Sequence, residues 1–401
     1  MPSQTFRRSV DEHRAVVAAL LPITPVVRRP LARCAGLALA EPLTSPIPLP
    51  PFDNSAMDGY AVRAVDVAAA PVELPVAEDI PAGRTDSPAL RPGTAHRIMT
   101  GAPLPPGADA VVPVERTDGG VERVRIDATA RPGDNVRRTG DDVAGGDVVL
   151  PAGAVLGPAQ LGVASAVGCA ELAVHRPVRA LVLSTGSELV APGQPLRHGQ
   201  IYESNGTQLA AAVREAGGDA EQLHFVPDDV EAFDAALAGR LAEVDLLITS
   251  GGISAGAYEV VKDAMTGHGV DFGSVAMQPG GPQGAGTYRG RAVAALPGNP
   301  VSSLVSFEVF VRPALRAAMR LPAARPMVRA RTIEDIGSPA GKRQYHRGAL
   351  DVESATVAMV GGGGSHLLAA LARADCLVEV PEDATAVPTG TEVTVLRLRE
   401  G

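Results

Sequence analysis

The chain of 401 residues lacks tryptophan, and only 3% of its residues are aromatic. Cores with so few large rings must be filled by Ala, Val and Leu. Proteins that bind single-stranded nucleic acids stack bases on aromatic side chains, so this function is disfavoured. Acidic residues outnumber basic ones, 45 to 36, for a net charge of −9. We therefore expect no broad basic face for nucleic acid or an anionic membrane, although a local anion pocket is compatible with this balance.

Cysteines and long apolar runs are also scarce. Cys34, Cys169 and Cys376 lie more than a hundred residues apart, so their spacing predicts neither a zinc site nor a redox dithiol. Nowhere do 18 apolar residues follow one another, and no apolar segment follows Arg7 and Arg8. We expect a soluble, unprocessed cytoplasmic protein without a membrane partner.

Glycine and proline, in contrast, are abundant. The 44 Gly and 35 Pro residues are spread along the chain rather than gathered in one segment. This distribution is typical of many turns and not of a disordered tail. The length exceeds what a single core usually holds and predicts about two to four domains.

The first part of the chain changes from helical to extended patterns. Ser9 and Glu12 form a capping-box pattern that predicts a helix ending at Pro22. A second helix is predicted over residues 31–40, before a run of prolines that neither a helix nor a central strand tolerates. Short apolar runs between residues 52 and 136, separated by Gly and Pro, predict a small β-rich domain.

From residue 179 to 320, apolar runs alternate with helical stretches. This alternation predicts an α/β domain with a doubly wound parallel sheet, covered by helices on both faces. Helices are predicted to begin at Asn205 and Asp228, both good N-caps, and at Val301. The second of these helices would extend to Leu241. After Pro322 the chain returns to short strands, so the fold class is multidomain, α/β plus β domains, with a C-terminal β-barrel-like domain.

Ligands of an open parallel sheet bind beyond the carboxyl ends of its strands. The predicted strand ends carry small residues, hydroxyls and carboxylates, which suit a phosphate or oxyanion pocket. Any one such loop is explained by turn chemistry alone, but their coincidence at one edge predicts a site. The loops are residues 184–188, 227–229, 250–254, 278–281 and 297–300.

Common nucleotide-binding motifs are absent from the sequence. No glycine run ends in Gly-Lys-Ser or Gly-Lys-Thr, and the glycine run at 361–364 is predicted to lie outside a strand-to-helix turn. A P-loop ATPase and a Rossmann dehydrogenase are therefore disfavoured. No histidine pair has the spacing of a helical zinc site.

Other segments carry an unusual density of functional groups. Residues 52–60 gather four hydrogen-bonding side chains, those of Asp53, Asn54, Ser55 and Asp58, before a bend at a glycine. Residues 135–142 mix arginines with carboxylates, a composition suited to orienting an anion beside a metal ion, and residues 99–103 add the hydroxyl of Thr100. The alternatives are an Asx-turn in the first segment and a solvated arginine pair in the last.

At these residues the sequence resembles the molybdopterin molybdenumtransferases, the family of the bacterial MoeA proteins and the E domain of gephyrin. The combination of Asp-Asn-Ser-Ala-Met-Asp-Gly-Tyr at 53–60 with Pro-Gly-Asn-Pro at 297–300 is highly specific, and the likeness covers essentially the whole chain. The other matching stretches are residues 98–103, 183–189, 199–205 and 250–254.

The resemblance implies an elongated homodimer of four-domain subunits that makes molybdenum cofactor. The implied reaction inserts molybdate into adenylylated molybdopterin and releases AMP, with Mg²⁺ as cofactor. Further implied partners are a molybdopterin adenylyltransferase and cofactor-accepting apoenzymes. The expected domains are residues 1–50 with 140–177 for linking and dimerisation, 51–139 for the β-rich domain, 178–321 for molybdopterin binding and 322–401 for the C-terminal β domain.

Roles implied by the matching motifs divide the site between two subunits, because Asp58, Thr100, Arg137 and Asp142 would complete the partner's site. The implied catalytic residues are Asp58, Thr100, Asp142, Glu188 and Asp228, and the implied metal ligands are Asp228 and Glu259. The residues implied to bind the pterin phosphate and adenylate are Arg137, Thr185, Gly186, Ser204, Asn205, Ser250, Gly251, Gly252, Ser254, Pro297, Gly298, Asn299 and Ser365.

The chain also departs from the family's pattern. Gln278 and Gly281 replace two lysines that the family often has, and Glu259 stands where the family often has Asp. The lost positive charges weaken the expected capture of phosphate or molybdate there. Two alternative functions stay open: a molybdopterin adenylyltransferase, which the α/β domain alone resembles, and a non-catalytic molybdopterin-binding paralogue or scaffold.

Overall fold

The computed structural model describes residues 6–86, 88–226, 229–253 and 260–399. Contacts divide the chain into two compact units. The larger unit holds the described residues up to Val27, Gly36–Ala38, and those from Val174 onward; the smaller unit holds Arg28–Ala35 and Leu39–Ala173. The helices are Val10–Leu20 (α1), Pro158–Ala166 (α2), Asn205–Glu215 (α3), Val230–Leu237 (α4), Val260–Met265 (α5), Pro300–Ser306 (α6), Arg312–Ala318 (α7) and Leu368–Arg373 (α8).

The strands fall into a long and a short class. Those of three or more residues are Phe6–Arg8 (β1), Val26–Pro30 (β2), Gly59–Val62 (β3), Val72–Ile80 (β4), Ala95–Ile98 (β5), Ala110–Pro113 (β6), Arg123–Ile126 (β7), Val148–Leu150 (β8), Glu171–His175 (β9), Arg179–Thr185 (β10), Asp219–Val226 (β11), Leu246–Ser250 (β12), Val270–Val275 (β13), Pro282–Tyr288 (β14), Arg291–Leu296 (β15), Met327–Thr332 (β16), Arg343–Asp351 (β17), Thr356–Met359 (β18), Cys376–Val380 (β19) and Glu392–Arg397 (β20). Two-residue strands are Leu43–Thr44, Asn54–Ser55, Val136–Arg137, Leu189–Val190, Ile201–Tyr202, Met277–Gln278, Ile336–Gly337 and Ala386–Val387.

Helix α1 begins with the predicted capping box. The Glu12 amide donates to Ser9 Oγ at 3.2 Å, and the Ser9 amide donates to Glu12 Oε2 at 2.7 Å. The predicted helix over residues 31–40 was wrong, because only Leu31–Arg33 forms a single 3₁₀ turn. Gly36 then adopts a left-handed φ of 77°, which ends any helical path.

The larger unit contains the predicted α/β domain. Its seven strands lie in the order β1-β13-β14-β15-β12-β10-β11. All neighbours are parallel except at β14, which runs antiparallel to β13 and β15. The sequence pattern did not reveal β14, which is glycine-rich and whose residues are mostly small or polar.

Helices cover both faces of this sheet because its central strands are apolar on each side. Ala180 and Val182 pack in a core with α1, α3, α6 and α7, whereas Leu181 and Leu183 pack in a second core with α4 and α5. Each fully buried Leu or Val contributes about 1.5–3 kcal/mol. These two apolar cores therefore fix the strand ends relative to one another.

Helix α4 corrects a sequence prediction at its start. Its N-cap is Asp229, whose carboxylate accepts from the Ala232 amide at 2.8 Å, and not Asp228, which lies outside the described residues. The helix ends at Leu237, and Leu241 lies in a separate 3₁₀ turn. Gly239, with φ of 80°, separates the two.

The C-terminal region of the larger unit forms a closed five-stranded barrel, as the sequence predicts. Its strands follow the order β17-β18-β16-β20-β19, and β19 pairs back with β17. The smaller unit contains a five-stranded sheet in the order β6-β3-β5-β4-β7. Among the described helices, none has the length and hydropathy that crossing a membrane would require.

His13 lies in the core that α1 forms against the sheet. Its side chain is 1% exposed, and its ring lies 5.5 Å from Phe6 and 4.7 Å from Phe310, between centroids. Burial, with a smaller effect from Arg8, lowers the pKa of His13 to about 4.

We predict that His13 makes the larger unit acid-sensitive. The unfolded imidazole, with a pKa of about 6.5, binds more protons than the folded one, so its stabilising effect is complete above that pH and is lost as pH falls toward 4. The loss is about 3 kcal/mol. Urea unfolding at several pH values should show the free energy of unfolding falling between about pH 6.5 and pH 4. This fall is expected in the natural chain and in an exposed control, His198→Leu, but not in His13→Leu. The same dependence of the free energy of unfolding on pH in His13→Leu as in the natural chain would contradict the prediction.

Candidate functional site

A cavity of about 710 Å³ opens in the larger unit beyond the carboxyl ends of β10, β12 and β15. These strands are adjacent and parallel, so their ends meet at one edge of the sheet. The described residues that line the cavity are Thr185–Leu189, Ile201–Asn205, Ser250–Ile253, Pro282, Pro297–Pro300, Ser302 and His366.

The loops that line this cavity interlock through glycines. Gly251 and Gly252 adopt left-handed φ values of 93° and 66°. A side chain at Gly251 would place its Cβ 2.7 Å from the Thr185 carbonyl oxygen, and one at Gly298 would place its Cβ 3.4 Å from the Gly251 Cα. Glycine is required at 251 both for its backbone angle and for this close approach.

Asn205 joins two of these loops. Its Nδ2 donates to Ser250 Oγ at 2.8 Å and to the Gly298 carbonyl at 2.6 Å. The sequence predicted Asn205 as an N-cap, which was wrong: α3 begins at Asn205 itself, with Ser204 in the cap position. The amide side chain is therefore used between loops and not to satisfy its own helix.

Two polar atoms at this wall are left for a ligand. Thr185 Oγ1 and Asn205 Oδ1 are buried without a hydrogen-bond partner among the described residues. A buried unpaired polar atom costs about 1–3 kcal/mol. A bound molecule that pairs with these atoms would recover that free energy.

A segment of the C-terminal region reaches the same cavity. Asn299 Nδ2 donates to Ser365 Oγ at 2.8 Å, and the Val301 amide donates to the Ser365 carbonyl at 3.2 Å. His366 also lines the cavity, and sequence reasoning did not select it. The preceding glycines at 361–364 lie between β18 and α8, so the prediction that they fall outside a strand-to-helix connection was wrong.

The smaller unit brings two of its predicted residues together. Asp58 Oδ1 accepts from the Thr100 amide at 2.7 Å and from Thr100 Oγ1 at 2.8 Å. The backbone bond, followed by the hydroxyl, lowers the pKa of Asp58. Both residues are exposed, so this carboxylate is held in one orientation at the surface.

The arginine-rich segment of the smaller unit lies beside the same block. Asp53 accepts from the Thr139 amide at 2.8 Å and from Arg138 Nη1 at 2.7 Å, which together lower the pKa of Asp53. This ion pair stands in place of the Asx-turn at Asp53, whereas Arg137 and Arg138 are both exposed, in agreement with the alternative of a solvated arginine pair. Arg137 is exposed, and its backbone pairs with Asn54.

Comparisons with protein families match almost the whole chain in three parts. Residues 8–168 match the MoeA N-terminal region, domains I and II; residues 181–317 match a probable molybdopterin binding domain; and residues 329–398 match the MoeA C-terminal region, domain IV. The chain is 54% identical to molybdopterin molybdenumtransferase 2 of Mycobacterium tuberculosis, over 97% of this chain and 99% of that protein. It is 39% identical to molybdopterin molybdenumtransferase 1 of the same organism, over 98% and 99%.

The chain belongs to the molybdopterin molybdenumtransferase family. A solved structure of the molybdopterin biosynthesis MoeA protein from Pyrococcus horikosii has the same fold, with a TM-score of 0.81 and 32% identity. That match covers 99% of this chain and 100% of the other.

Several predicted residues of this family member are placed outside the cavity or cannot be placed. Gln278 and Pro279 line a separate, smaller cavity beside Arg347, so the loop at 278–281 does not join the main site as predicted. Asp142 is exposed in the smaller unit, where its amide donates to the Leu49 carbonyl. Ser254, like Asp228 and Glu259, lies outside the described residues.

The metal prediction consequently stays a prediction. Within the described ranges, no group of three His, Cys, Asp or Glu side chains could hold a metal ion. Glu188 is the predicted carboxylate that the cavity does contain, and it lies over the backbone of Gly186.

Glu203 is a cavity residue that sequence reasoning missed. Its side chain is 2% exposed. Oε1 accepts from Ser184 Oγ at 2.8 Å and from the Gly206 amide at 2.6 Å, and Oε2 accepts from Gln222 Nε2 at 3.0 Å. The carboxylate thus ties β10 and β11 to the start of α3, and it occupies the helix amide that a ligand anion would otherwise use. Glu203 directly precedes Ser204 and Asn205, which the sequence analysis did select, and this position was the signal that could have identified it.

We predict that Glu203→Ala destabilises the larger unit by about 3 kcal/mol or more, because three buried donors lose their acceptor. Glu203→Gln should lose much less, because turning the amides of residues 203 and 222 restores all three bonds. Chemical unfolding of both variants checks this. Equal stability of Glu203→Ala and the natural chain would show that water or a neighbouring group replaces the carboxylate.

Proposed function

We propose that this chain is a cytoplasmic molybdopterin molybdenumtransferase that inserts molybdate into adenylylated molybdopterin and releases AMP. The relatives' names and the family match support the pathway and the pterin class of substrate. The observation that carries the proposal is the cavity at the strand ends, whose wall holds the buried unpaired Thr185 Oγ1 and Asn205 Oδ1.

The cavity has the size and polarity of a small-molecule site. Its volume of about 710 Å³ lies within the range of roughly 300–1,000 Å³ found for such sites. Thr185, Asn205 and Ser250 would orient the pterin and its phosphate, and the backbone of Gly251 and Gly252 leaves room for close approach. Asn299 and Ser365 would close the opposite wall.

Mg²⁺ dependence is part of the proposal and rests on Asp228 and Glu259. Carboxylate oxygens are the ligands that Mg²⁺ prefers, and one or two of them are a sufficient protein contribution. Bound there, the ion would supply charge neutralisation for the phosphate groups. Glu188 would lie beside the reacting phosphate and not among the ligands.

A homodimer with shared sites is the second part of the proposal, together with the four-domain division of the chain. The family resemblance assigns Asp58, Thr100, Arg137 and Asp142 to the other subunit's substrate. The fixed orientation of Asp58 on Thr100 supports this, since an exposed carboxylate held by two bonds is prepared for a contact. The adenylyltransferase and the cofactor-accepting apoenzymes would exchange substrate and product with this dimer.

The first test uses Thr185→Val, which removes only the unpaired hydroxyl. We expect equal or higher melting temperature, since a buried unsatisfied atom is lost, and molybdopterin affinity at least about tenfold weaker. The matched control is Thr249→Val, because Thr249 Oγ1 is also buried without a partner in the described chain but does not line the cavity. Fluorescence titration with molybdopterin checks both variants. Equal affinity in the two would place the pterin elsewhere.

The second test concerns the shared site. Asp58→Ala and Asp228→Ala chains should each be inactive in AMP release from molybdopterin adenylate with Mg²⁺ and molybdate. Mixed together, they should recover part of the activity, since a hybrid dimer contains one intact site. A stable monomer in sedimentation, or no recovery on mixing, would overturn the homodimer.

The same assay separates the other two candidate functions. An adenylyltransferase would consume ATP and molybdopterin and release pyrophosphate. A binding paralogue or scaffold would bind molybdopterin without turnover of the adenylate.

A further inference from the structure

Tyr202 is an exposed aromatic residue in a structure whose described aromatic side chains are mostly buried. The sequence contains 7 Phe and 5 Tyr residues and no Trp. Tyr60, Phe233 and Phe307 are 0% exposed, whereas Tyr202 is 46% exposed. An aromatic ring in water forgoes the free energy that burial would provide. The position of Tyr202 therefore needs an explanation other than the packing of a core.

Tyr202 lines the cavity at the strand ends. It does so together with its neighbour Ile201, which is 55% exposed. Among the described residues that line this cavity, Tyr202 is the one Phe or Tyr, and most of the others are small or polar. Its ring is therefore the largest flat apolar surface that the described part of the lining offers to a bound molecule.

A short ribbon holds the backbone of Tyr202 in place. The ribbon consists of the two-residue strands at 189–190 and 201–202, which pair side by side. The Ile201 amide donates to the Glu188 carbonyl at 3.0 Å, and the Glu203 amide donates to the carbonyl of residue 190 at 2.9 Å. Because the buried Glu203 carboxylate is bonded to β10, β11 and α3, the ribbon is fixed to elements that also carry the cavity wall.

The Tyr202 ring is also held at its polar end. Its hydroxyl donates to the Gln194 carbonyl at 3.0 Å, so this polar atom is already used within the chain. What the side chain offers a ligand is therefore the face of the ring. A side chain that is held at both its backbone and its hydroxyl loses little freedom when a ligand binds, and this favours affinity.

A flat heteroaromatic ring is the kind of ligand group that suits such a surface. Stacking on a tyrosine requires only the π-face of the ligand and no particular hydrogen-bonding edge. The same cavity contains the unpaired Thr185 Oγ1 and Asn205 Oδ1, which can pair with polar groups of the ligand. An apolar surface with a few placed polar atoms is the usual composition of a small-molecule site.

We propose that Tyr202 stacks on a flat heteroaromatic ring of the bound substrate and thereby orients it in the cavity. This inference rests on the proposed function, because adenylylated molybdopterin carries two such rings. The pterin and the adenine share the chemistry that a tyrosine face recognises, and the experiment distinguishes them.

The experiment is calorimetric titration of the full chain with three separate ligands: molybdopterin, AMP and ribose 5-phosphate, which is AMP without its ring. Tyr202→Ala should weaken binding of at least one of the two ring-bearing ligands at least about tenfold. Its affinity for ribose 5-phosphate should change less than about twofold, since no stacking is lost. The ligand whose affinity falls identifies the ring that stacks.

Two further variants serve as controls for the stacking. Tyr202→Phe keeps the ring and loses only the hydroxyl bond to Gln194, so its affinities should stay within about threefold of those of the natural chain. Leu196→Ala removes another exposed apolar side chain, 44% exposed, from the chain segment that joins the two strands of the ribbon. Leu196 does not line the cavity, so this variant should change each affinity less than about twofold.

A second measurement uses the natural chain and no variant. Tetranitromethane nitrates exposed tyrosines, and peptide mass spectrometry reports the rate at Tyr202, with the buried Tyr60 as an internal reference. The ring-bearing ligand, at about four times its Kd, should slow nitration of Tyr202 about fivefold. Ribose 5-phosphate at matched occupancy should leave the rate unchanged.

The outcomes separate this inference from the proposed function. Molybdopterin binding that depends on Thr185 but, like AMP binding, is unaffected by Tyr202→Ala overturns the stacking and leaves the proposed function standing. An equal loss of affinity for ribose 5-phosphate, or equal protection by it, means that the ribbon acts without stacking and also overturns the inference. A natural chain that binds neither molybdopterin nor AMP overturns both.

Discussion

The edge at which β10, β12 and β15 end together is the constraint on which the rest of this protein depends. Parallel pairing brings the ends of three strands that are far apart in sequence to one edge of the sheet. Two apolar cores, one on each face, hold the strands in that register. The Asn205 amide then joins the loop after β12 to the loop after β15. Without this alignment, the same hydroxyls and glycines would be unrelated surface turns.

Charge is used locally in a chain that is acidic overall. The Glu203 carboxylate accepts from the Gly206 amide at the start of α3. The anionic group of a ligand must therefore find its hydrogen-bond donors elsewhere. Arg7, Lys262 and Lys342 line a separate cleft of the larger unit and do not line the cavity.

Local signals explain why sequence reasoning selected loops that line the cavity. The loops at 184–188, 250–254 and 297–300 combine local turn chemistry with a position after an apolar strand, and both properties are readable along the chain. The loop at 278–281 has the same composition but follows a two-residue strand that pairs with the barrel strand β17. Its side chains consequently line another cavity, which only the pairing partner decides.

Local signals determined the capping box of α1, the apolar strands of the α/β domain and the strand-rich C-terminal region, because each depends on residues a few positions apart. The tertiary structure decided the remainder. The sequence predicts Asn205 as a helix cap, but in the structure its side-chain amide donates to the Gly298 carbonyl instead. Helix α4 is capped by Asp229 and not by Asp228. The buried hydrogen bonds of Glu203 are not readable from its position before Ser204 and Asn205, since hydrogen bonds act through space and disregard separation along the chain.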